Sequence, residues 1–450
     1  MKKKTKQKTV PRYWGSRTLL VVGVILVLSV SLQAQYKPFY TYYNFNFGAR
    51  ALSMGNAFTA VADDLTSVFW NPAGLAEFKY PEAYLSYRKN KMQDYYDIQA
   101  REMPGYVEQY TYDFESSLKN IDFLSVSVPA QFWGMKWTFA LSFYRMIPYN
   151  MEGNSVSVYS ADSESYIGET TTMTFTGDSG IDVLAFTAAY YYSDYFSLGL
   201  TVQQFLNSGT MNYHYLSSAV EYDQEYTEKI EGRNLILGFV FKPMKDVVLG
   251  MTYRTRLRNY FHSEYIRQEV GSTIRQVGTT RSSFEFPARL SFGLMLRPFK
   301  FMRMSFDYSI LYWTLGKVSD YYGSSEDLPY PVRDAFSFAQ EDCHNYRMGV
   351  EFNIPYDRFI LFLRGGLFTE RQLFKDSNDG IVKVSGYSFG IGADVSSVVS
   401  VDLAYARQNS NWLETPVFNP ADEVFSRYNN DVLSLSVTFR FTGLPVSGKK

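Results

Sequence analysis

The sequence predicts an all-β fold, a 14-stranded antiparallel transmembrane β-barrel with an N-terminal helical hatch that acts as a plug. Three observations carry this prediction. An export signal begins the chain, and no later stretch approaches the ~20 apolar residues of a membrane helix. Apolar and polar residues then alternate repeatedly with a period of two. An exported chain without a membrane helix is either soluble or a membrane barrel, and the alternation favours the barrel.

The first 34 residues have the features of an export signal. Seven basic residues precede the apolar run TLLVVGVILVLSV, and SLQA then ends at the small residue Ala34. We expect cleavage between Ala34 and Gln35, which leaves a net charge of −8. The single cysteine, Cys343, excludes a disulfide within the chain, and the acidic balance excludes the basic footprint of a nucleic-acid partner.

The C-terminal half shows the alternation most clearly. In the segment 431–441 one face carries Leu433, Leu435, Val437, Phe439 and Phe441, and the other carries Ser434, Ser436, Thr438 and Arg440. The segments 289–297, 305–312 and 347–353 follow the same pattern. One face is large and apolar while the other is small or charged, which predicts lipid outside and a polar lumen inside.

Short and long connections alternate between these strands. The short ones are predicted at 132–136, 192–196, 242–246, 297–301, 354–358 and 395–399. The long ones are predicted at 93–118, 149–178, 207–229, 262–281, 315–340, 371–380 and 410–428. This gives 14 strands, although 12 or 16 also fit the pattern. Short turns on one side and long loops on the other are typical of bacterial outer-membrane barrels, with both termini in the periplasm.

Residues 35–80 fit no strand. Asn71 suits a helix N-cap and Pro72 the first helical position, so NPAGLA predicts a tight helical turn. Asp63 or Asp64 could cap a second turn through LTSVFW. A barrel of this width would otherwise enclose an aqueous hole, so we expect this compact segment to plug it.

The segment GARALSMGNAFTAVADDLTSVFWNPAGLA, residues 48–76, resembles the hatch of the FadL family of outer-membrane transporters. Three further segments, 237–259, 286–313 and 387–408, resemble later hairpins of that family. The resemblance implies a domain order of 1–34 signal peptide, 35–80 hatch, 81–441 barrel and 442–450 periplasmic tail. Asn71, Pro72 and Ala73 match the hatch motif of that family. The predicted hatch and gate residues are Asp63, Asp64, Trp70, Asn71, Pro72, Ala73 and Gly74, and the alternative is that the Asn71 turn is part of a plug that does not move.

The resemblance also implies passive uptake of long-chain fatty acids or other hydrophobic compounds. A loop groove would capture the ligand, and a lumenal pocket would pass it to a gap in the barrel wall. The sequence departs from the family in two predicted loops, because 262–281 is strongly polar and 207–229 carries many acids. A more polar or aromatic ligand, or no ligand, therefore stays open.

Three arginines are candidates for ligand binding. Arg254, Arg289 and Arg364 face the lumen by strand parity and could hold a carboxylate head group. The alternative is that they form ion pairs across the lumen with Asp307, Glu351, Asp394 and Asp402.

The sequence does not suggest an enzyme. His214, His262 and His344 have no recognisable partner motif, and SSLK at Ser116 to Lys119 is a short match at a predicted loop edge. No cofactor fingerprint or metal-ligand spacing occurs, and the adjacent Asp63 and Asp64 suit caps or ion pairs better than a metal site. The expected partners are a hydrophobic small molecule, outer-membrane lipid and the barrel-assembly machinery. An alternative function is protein secretion, since barrels acting there as shuttles or assembly components have a similar hatch motif.

Overall fold

The computed structural model describes residues 47–99, 109–148, 151–159, 169–206, 208–216, 220–230, 232–269, 275–315, 318–321, 341–357, 359–375, 381–414 and 423–442. Within these residues, 20 strand segments form one antiparallel sheet. Pairs of consecutive segments that share the same neighbours form single strands, so the sheet has 14 strands, β1 to β14. The predicted strand number is thereby confirmed. The predicted cleavage site after Ala34 lies outside the described residues.

The first seven strands are β1 (Glu82–Gln99), β2 (Gln109–Phe132), β3 (Met135–Pro148 and Met151–Tyr159), β4 (Glu169–Ser193), β5 (Phe196–Leu206 and Ser208–Leu216), β6 (Val220–Ile230 and Arg233–Met244) and β7 (Val247–Arg254 and Leu257–Glu269). The other seven are β8 (Arg275–Phe286 and Arg289–Phe299), β9 (Met302–Leu311 and Val318–Tyr321), β10 (Cys343–Pro355), β11 (Ile360–Lys375), β12 (Ile381–Asp394), β13 (Val399–Glu414) and β14 (Glu423–Arg440). A 3₁₀ helix, Trp313–Leu315, interrupts β9.

The sheet closes because the first and last strands pair along their whole length. Glu82 lies opposite Arg440 at one end of this seam and Gln99 lies opposite Glu423 at the other. Among the described strands, closure leaves no unpaired sheet edge, which a lipid environment requires.

The two faces of the sheet have opposite exposure. On β14, Leu433 is 44% exposed on the outside, whereas Ser434 and Ser436 are 2% and 0% exposed on the inside. The large apolar side chains therefore form the outer surface, and the small polar ones are buried on the side of the lumen. The alternation predicted from the sequence is confirmed.

The strands extend further than predicted at the end that carries the long connections. β2 begins at Gln109, inside the predicted loop 93–118, and two strand segments occupy most of the predicted loop 207–229. Beyond a hydrocarbon layer both faces of a strand can be polar, so the alternation stops although the backbone ladder continues. For the same reason His214, His262 and Ser116–Lys119 lie in strands, and His344 lies near the start of β10.

The described part of the hatch, residues 47–80, contains no strand and packs against the inner face of the barrel wall. It has two short α-helices, α1 (Ala49–Ser53) and α2 (Ser67–Trp70), and a 3₁₀ helix, Pro72–Glu77. An aromatic cluster joins it to the wall, because the ring of Phe47 lies 5.0 Å from that of Tyr144. Among the described residues, no helix is both long and apolar enough to cross a membrane. The predicted domain boundaries at 34, 80 and 441 stay predictions.

A row of inward-facing glycines brings the wall into contact with the hatch backbone. We call it the glycine belt, and it consists of Gly199, Gly238, Gly250, Gly293, Gly349, Gly366 and Gly390. A Cβ atom added at Gly366 would lie 2.1 Å from the amide nitrogen of Gly55, and one at Gly250 would lie 2.2 Å from the carbonyl oxygen of Thr59. Only glycine permits this approach. On the outer side of the same region the wall has an apolar concavity of about 890 Å³.

Candidate functional site

The Asn71 turn lies at the centre of the contact between hatch and wall. Asn71 is fully buried and caps the 3₁₀ helix, since its Oδ1 accepts a hydrogen bond of 3.2 Å from the amide of Ala73. Its Nδ2 donates to the carbonyl of Thr59 at 2.7 Å and to that of Phe239 in β6 at 3.0 Å. The predicted cap at Asn71, with Pro72 following as the first helical residue, is confirmed.

The residues after Asn71 fit closely against their surroundings. Glycine is required at Gly74, because an added Cβ would lie 1.9 Å from the carbonyl oxygen of Ala62 within the hatch. Ser197 of β5 donates a hydrogen bond of 3.0 Å to the carbonyl of Ala73. Trp70 donates from its indole nitrogen to the carbonyl of Phe47 at 3.1 Å. These contacts hold the turn from three directions.

The two adjacent aspartates of the hatch have different environments. Asp64 is 7% exposed, and its Oδ1 accepts from the amide and the hydroxyl of Thr66 at 2.8 and 2.5 Å, just before α2 begins. Burial raises the pKa of Asp64 to about 6. For Asp63, burial alone would raise the pKa, but Arg50 and Arg303 outweigh it and hold the pKa well below its usual value.

Asp63 belongs to a cluster of six charged side chains that joins the hatch to the wall. This ionic cluster consists of Arg50 and Asp63 from the hatch and Arg303, Glu351, Arg364 and Asp402 from the wall. Glu351 is fully buried at its centre, 3.2 Å from Arg50, 2.6 Å from Arg303 and 2.7 Å from Arg364. Three guanidiniums face three carboxylates, so the cluster is neutral, as a buried charge group has to be.

Backbone groups of the hatch form a further set of contacts. Asp307 of β9 accepts hydrogen bonds of 2.9 and 2.8 Å from the amides of Phe58 and Thr59. Ser388 of β12 accepts one of 2.9 Å from the amide of Gly55. Asp394, another predicted pairing partner, lies instead 3.6 Å from Arg440 and accepts a hydrogen bond from Ser400.

Two of the three predicted ligand-binding arginines are arranged differently from the third. Arg364 lies within the ionic cluster, with Glu351 and Asp402 as partners. Arg254 and Arg289 are directly opposite partners on the neighbouring strands β7 and β8, so their side chains leave the same face of the sheet side by side. They lie four residues beyond the Gly250–Gly293 pair towards the long connections. We call them the arginine pair. Among the described residues neither forms an ion pair with a carboxylate, and both Nε atoms are buried without a hydrogen-bond partner.

Aromatic rings of the hatch lie beside the arginine pair. The guanidinium of Arg254 lies 4.0 Å from the centroid of the Phe69 ring and donates to the carbonyl of Phe69 at 3.1 Å. Such stacking stabilises a cation on an aromatic face. The guanidinium of Arg347 lies 5.8 Å from the Trp70 ring and is held by Glu370 at 2.5 Å. The site therefore combines apolar rings with an excess of positive charge.

Sequence reasoning missed several members of this interface. Arg303, Arg347 and Glu370 were not predicted, although the parity of their strands also places them in the lumen. The glycine belt was missed too, although each member sits at an inward position of an alternating strand. Among the described residues, no three His, Cys, Asp or Glu side chains lie close enough to hold a metal ion.

Comparison with solved structures shows that the barrel has the fold of FadL-type barrels. A Pseudomonas aeruginosa FadL homologue superposes with a TM-score of 0.57 at 15% identity, over 88% of this chain and 98% of that one. The toluene transporter TodX of Pseudomonas putida gives a TM-score of 0.54 at 13% identity, over 88% and 98%. The Ralstonia pickettii toluene transporter TbuX gives 0.50 at 13% identity, over the same shares. At these identities the likeness concerns the fold.

The closed antiparallel barrel of 14 strands matches FadL-type barrels in its fold. The sequence itself identifies the family, since residues 29–339 match the model of the outer membrane protein transport proteins, OMPP1/FadL/TodX. The chain belongs to this family, which transports hydrophobic compounds across the outer membrane. No curated protein matches the sequence.

Proposed function

We propose that this protein is a passive outer-membrane transporter for amphiphilic acids, with long-chain fatty acids as the substrate class. One observation carries the proposal. The arginine pair presents two positive charges opposite one another, beside aromatic rings, and without a described carboxylate to neutralise them. Two like charges placed directly opposite destabilise a sheet, so the arrangement calls for an anion.

The position of the arginine pair supports this role. It lies between the long connections and the glycine belt, beside Phe69 of the hatch, so a solute that enters from the long-connection side would meet the arginines before it reached the belt. A carboxylate would bind both guanidiniums through charge-assisted hydrogen bonds. The acyl chain would pack beside rings such as Phe69 and Tyr144, whose centroids lie 6.1 Å apart.

The remaining features of the proposal follow from this direction of transport. The long connections face the outside, and both termini lie in the periplasm after removal of residues 1–34. The hatch acts as the gate, the Asn71 turn and the ionic cluster hold it closed, and no catalysis is involved. Outer-membrane lipid surrounds the barrel, which the cell's barrel-assembly machinery inserts.

Uncharged aromatic solutes are the comparison class, because TodX and TbuX are described as toluene transporters. Toluene has no charge for the arginine pair to bind. A carboxylate therefore depends on the arginine pair for binding and a hydrocarbon does not. Binding of a matched set of ligands distinguishes a transporter of acids from a transporter of hydrocarbons.

The test is equilibrium binding of oleate, oleyl alcohol and toluene to the purified protein in detergent. The test variant is Arg254→Gln with Arg289→Gln, and the control is Arg233→Gln, an exposed arginine of β6. We expect the double variant to bind oleate at least ~10-fold more weakly, the loss of one good charged hydrogen bond, with oleyl alcohol unchanged.

Equal loss of both oleyl ligands, or preference of the wild type for toluene, would overturn the acid specificity. Absence of binding by all three ligands, with normal uptake after deletion of the protein, would favour the alternative role in protein secretion.

A further inference from the structure

Two buried amide side chains extend the arginine pair along the barrel wall. Gln203 of β5 and Asn234 of β6 lie directly opposite one another on neighbouring strands, and both face the lumen. Asn234 lies two residues from Ile236, which is the residue opposite Arg254, so Asn234 is a diagonal neighbour of that arginine. We call the resulting set the polar row, and it consists of Gln203, Asn234, Arg254 and Arg289.

The polar row follows the glycine belt on four consecutive strands. Each of its residues lies four positions from a belt glycine, towards the long connections. The corresponding glycines, in the same order, are Gly199, Gly238, Gly250 and Gly293.

Helix α2 of the hatch forms the floor of this part of the lumen. Thr201 of β5 donates a hydrogen bond of 2.9 Å to the carbonyl of Val68, and Arg254 of β7 donates one of 3.1 Å to the carbonyl of Phe69. Val68 and Phe69 are consecutive residues of α2. The amides and the arginines therefore border the same short stretch of the hatch.

The two amides carry hydrogen-bonding capacity that the described protein does not use. Gln203 is 0% exposed and Asn234 is 2% exposed. The Nε2 of Gln203 donates to the hydroxyl of Tyr144, but its Oε1 has no hydrogen-bond partner among the described residues, and neither has the Oδ1 of Asn234. A buried acceptor without a partner is costly. Two of them on facing residues, beside the arginine pair, indicate a group that a ligand supplies.

The two halves of the polar row require different features of that ligand. Guanidiniums only donate hydrogen bonds and carry positive charge, so they bind an anion. Amide oxygens accept, so they require a donor, and a hydroxyl group suits an amide in either orientation because it both donates and accepts. Diagonal neighbours in a sheet lie ~7–8 Å apart, within reach of a side chain as long as arginine. The matching ligand therefore has a carboxylate and a hydroxyl group within one head group.

We propose that the polar row selects amphiphilic acids with a hydroxyl group on the second or third carbon, which are the 2- and 3-hydroxy fatty acids. This inference rests on the proposed function, because it keeps the carboxylate on the arginine pair and assigns recognition of the hydroxyl to Gln203 and Asn234. An unsubstituted fatty acid leaves both amide oxygens unpaired. A site built to bind a hydroxyl group discriminates against the analogue that lacks it for this reason.

The test is equilibrium binding of hexadecanoate, 3-hydroxyhexadecanoate and 16-hydroxyhexadecanoate to the purified protein in detergent. The test variant is Gln203→Met with Asn234→Leu, which removes both amides at nearly constant side-chain volume. The matched control is Gln408→Met with Asn90→Leu, because these amides of β13 and β1 are also buried and also have an atom without a hydrogen-bond partner. Gel mobility of unheated samples establishes that each variant is a folded barrel.

We expect the wild type to bind 3-hydroxyhexadecanoate ~5–10-fold more tightly than hexadecanoate, which is the gain from one hydrogen bond to a buried partner. A hydroxyl at the far end of the chain, in 16-hydroxyhexadecanoate, should give no gain. The test variant should bind hexadecanoate and 3-hydroxyhexadecanoate equally, and the control variant should keep the preference of the wild type.

Equal binding of these two acids by the wild type, an equal gain from the 16-hydroxyl group, a preference that persists in the test variant, or its loss in the control would overturn the inference. Failure of the proposed function gives a different result, because hexadecanoate would then bind no more tightly than hexadecanol. If the wild type bound none of these compounds, both proposals would be wrong.

Discussion

Asn71 in the hatch donates a hydrogen bond of 3.0 Å to the backbone carbonyl of Phe239 in the barrel wall. The same side chain caps the following 3₁₀ helix through the amide of Ala73 and donates to the carbonyl of Thr59. Three backbone groups therefore have their hydrogen-bond partner in one side chain. A buried side chain with this many partners holds the hatch in one position. Its removal leaves buried backbone groups without partners, which is costly.

Replacement of Asn71 and Pro72 by Ala should therefore loosen the hatch. Loss of a cap costs ~1 kcal/mol, and unsatisfied backbone groups add a similar amount. We expect hatch-opening events in planar lipid bilayers to become ~5–30 times more frequent, measured as steps in ion conductance. Asn409→Ala, at an exposed outward position, is the control. Unchanged conductance in the double variant would mean that the turn is structural and does not restrain a gate.

Glu351 should be the most sensitive residue of the ionic cluster. Glu351→Gln removes the central negative charge that Arg50, Arg303 and Arg364 share. Breaking a buried ion pair in this way lowers the free energy of unfolding by ~3–5 kcal/mol. We expect lower stability in detergent together with more frequent channel opening.

The matched control is Asp182→Asn, because Asp182 is also buried and pairs with Arg145 within the wall at 2.8 Å. It should lower stability without opening the channel. If both variants opened the channel equally, the ionic cluster would have no special effect on the hatch.

The glycine belt predicts a sharp contrast between two adjacent residues. An added Cβ at Gly366 would lie 2.1 Å from the backbone of Gly55, whereas at Gly365 its nearest neighbours are 3.8 Å away. Gly366→Ala should displace the hatch and lower stability by ~1–3 kcal/mol or more, as overpacking does. Gly365→Ala should be close to neutral. Thermal unfolding in detergent and conductance measure both effects, and similar behaviour of the two variants would contradict close contact at the belt.

Asp64 should give stability a pH dependence of known sign. Burial raises its pKa to about 6 in the folded protein, compared with ~4 in an unfolded chain. Below pH ~4 the carboxyl is neutral in both states and contributes no slope. Between pH ~4 and ~6 only the unfolded chain loses the proton, so this contribution to stability falls as pH rises, and it levels off above pH ~6.

Asp64→Asn isolates this effect, because the amide keeps an acceptor for Thr66 and cannot ionise. We expect the variant to match the wild type near pH 4 and to exceed its stability by ~2–3 kcal/mol at pH 7. Asp63 acts in the opposite direction, since its lowered pKa makes its contribution disappear as pH falls, so the comparison has to be made between variant and wild type. An identical pH profile in both would show that Asp64 is not buried as an acid.

The strand number and the hatch turn were predictable because each leaves a local signal. The period-two alternation in segments such as 431–441 marks the lipid-facing strands, and Asn71 followed by Pro72 marks a capped turn. The strand extensions beyond the membrane were not predictable, because polar residues on both faces remove the alternation while the hydrogen-bonded ladder continues.

The partners within the lumen depend on tertiary packing. Parity placed Arg254, Arg289 and Arg364 inside, but it could not separate the paired Arg364 from the arginine pair. That difference arises because Glu351 and Arg303 lie opposite one another on neighbouring strands, and the chain then brings Arg50 to the same place. Arg50 and Glu351 are 301 positions apart, and no local sequence pattern predicts a contact over that distance.

The direct contact between the glycine belt and the hatch backbone has a consequence for assembly. At the glycine belt the two surfaces touch, so a closed barrel leaves no room there for an already folded hatch to pass. The seam between β1 and β14 must then join around the hatch, or the hatch must acquire its final shape inside. Either way, the hatch and the wall take their final shapes against one another. A chain lacking the hatch would form a wall of different cross-section.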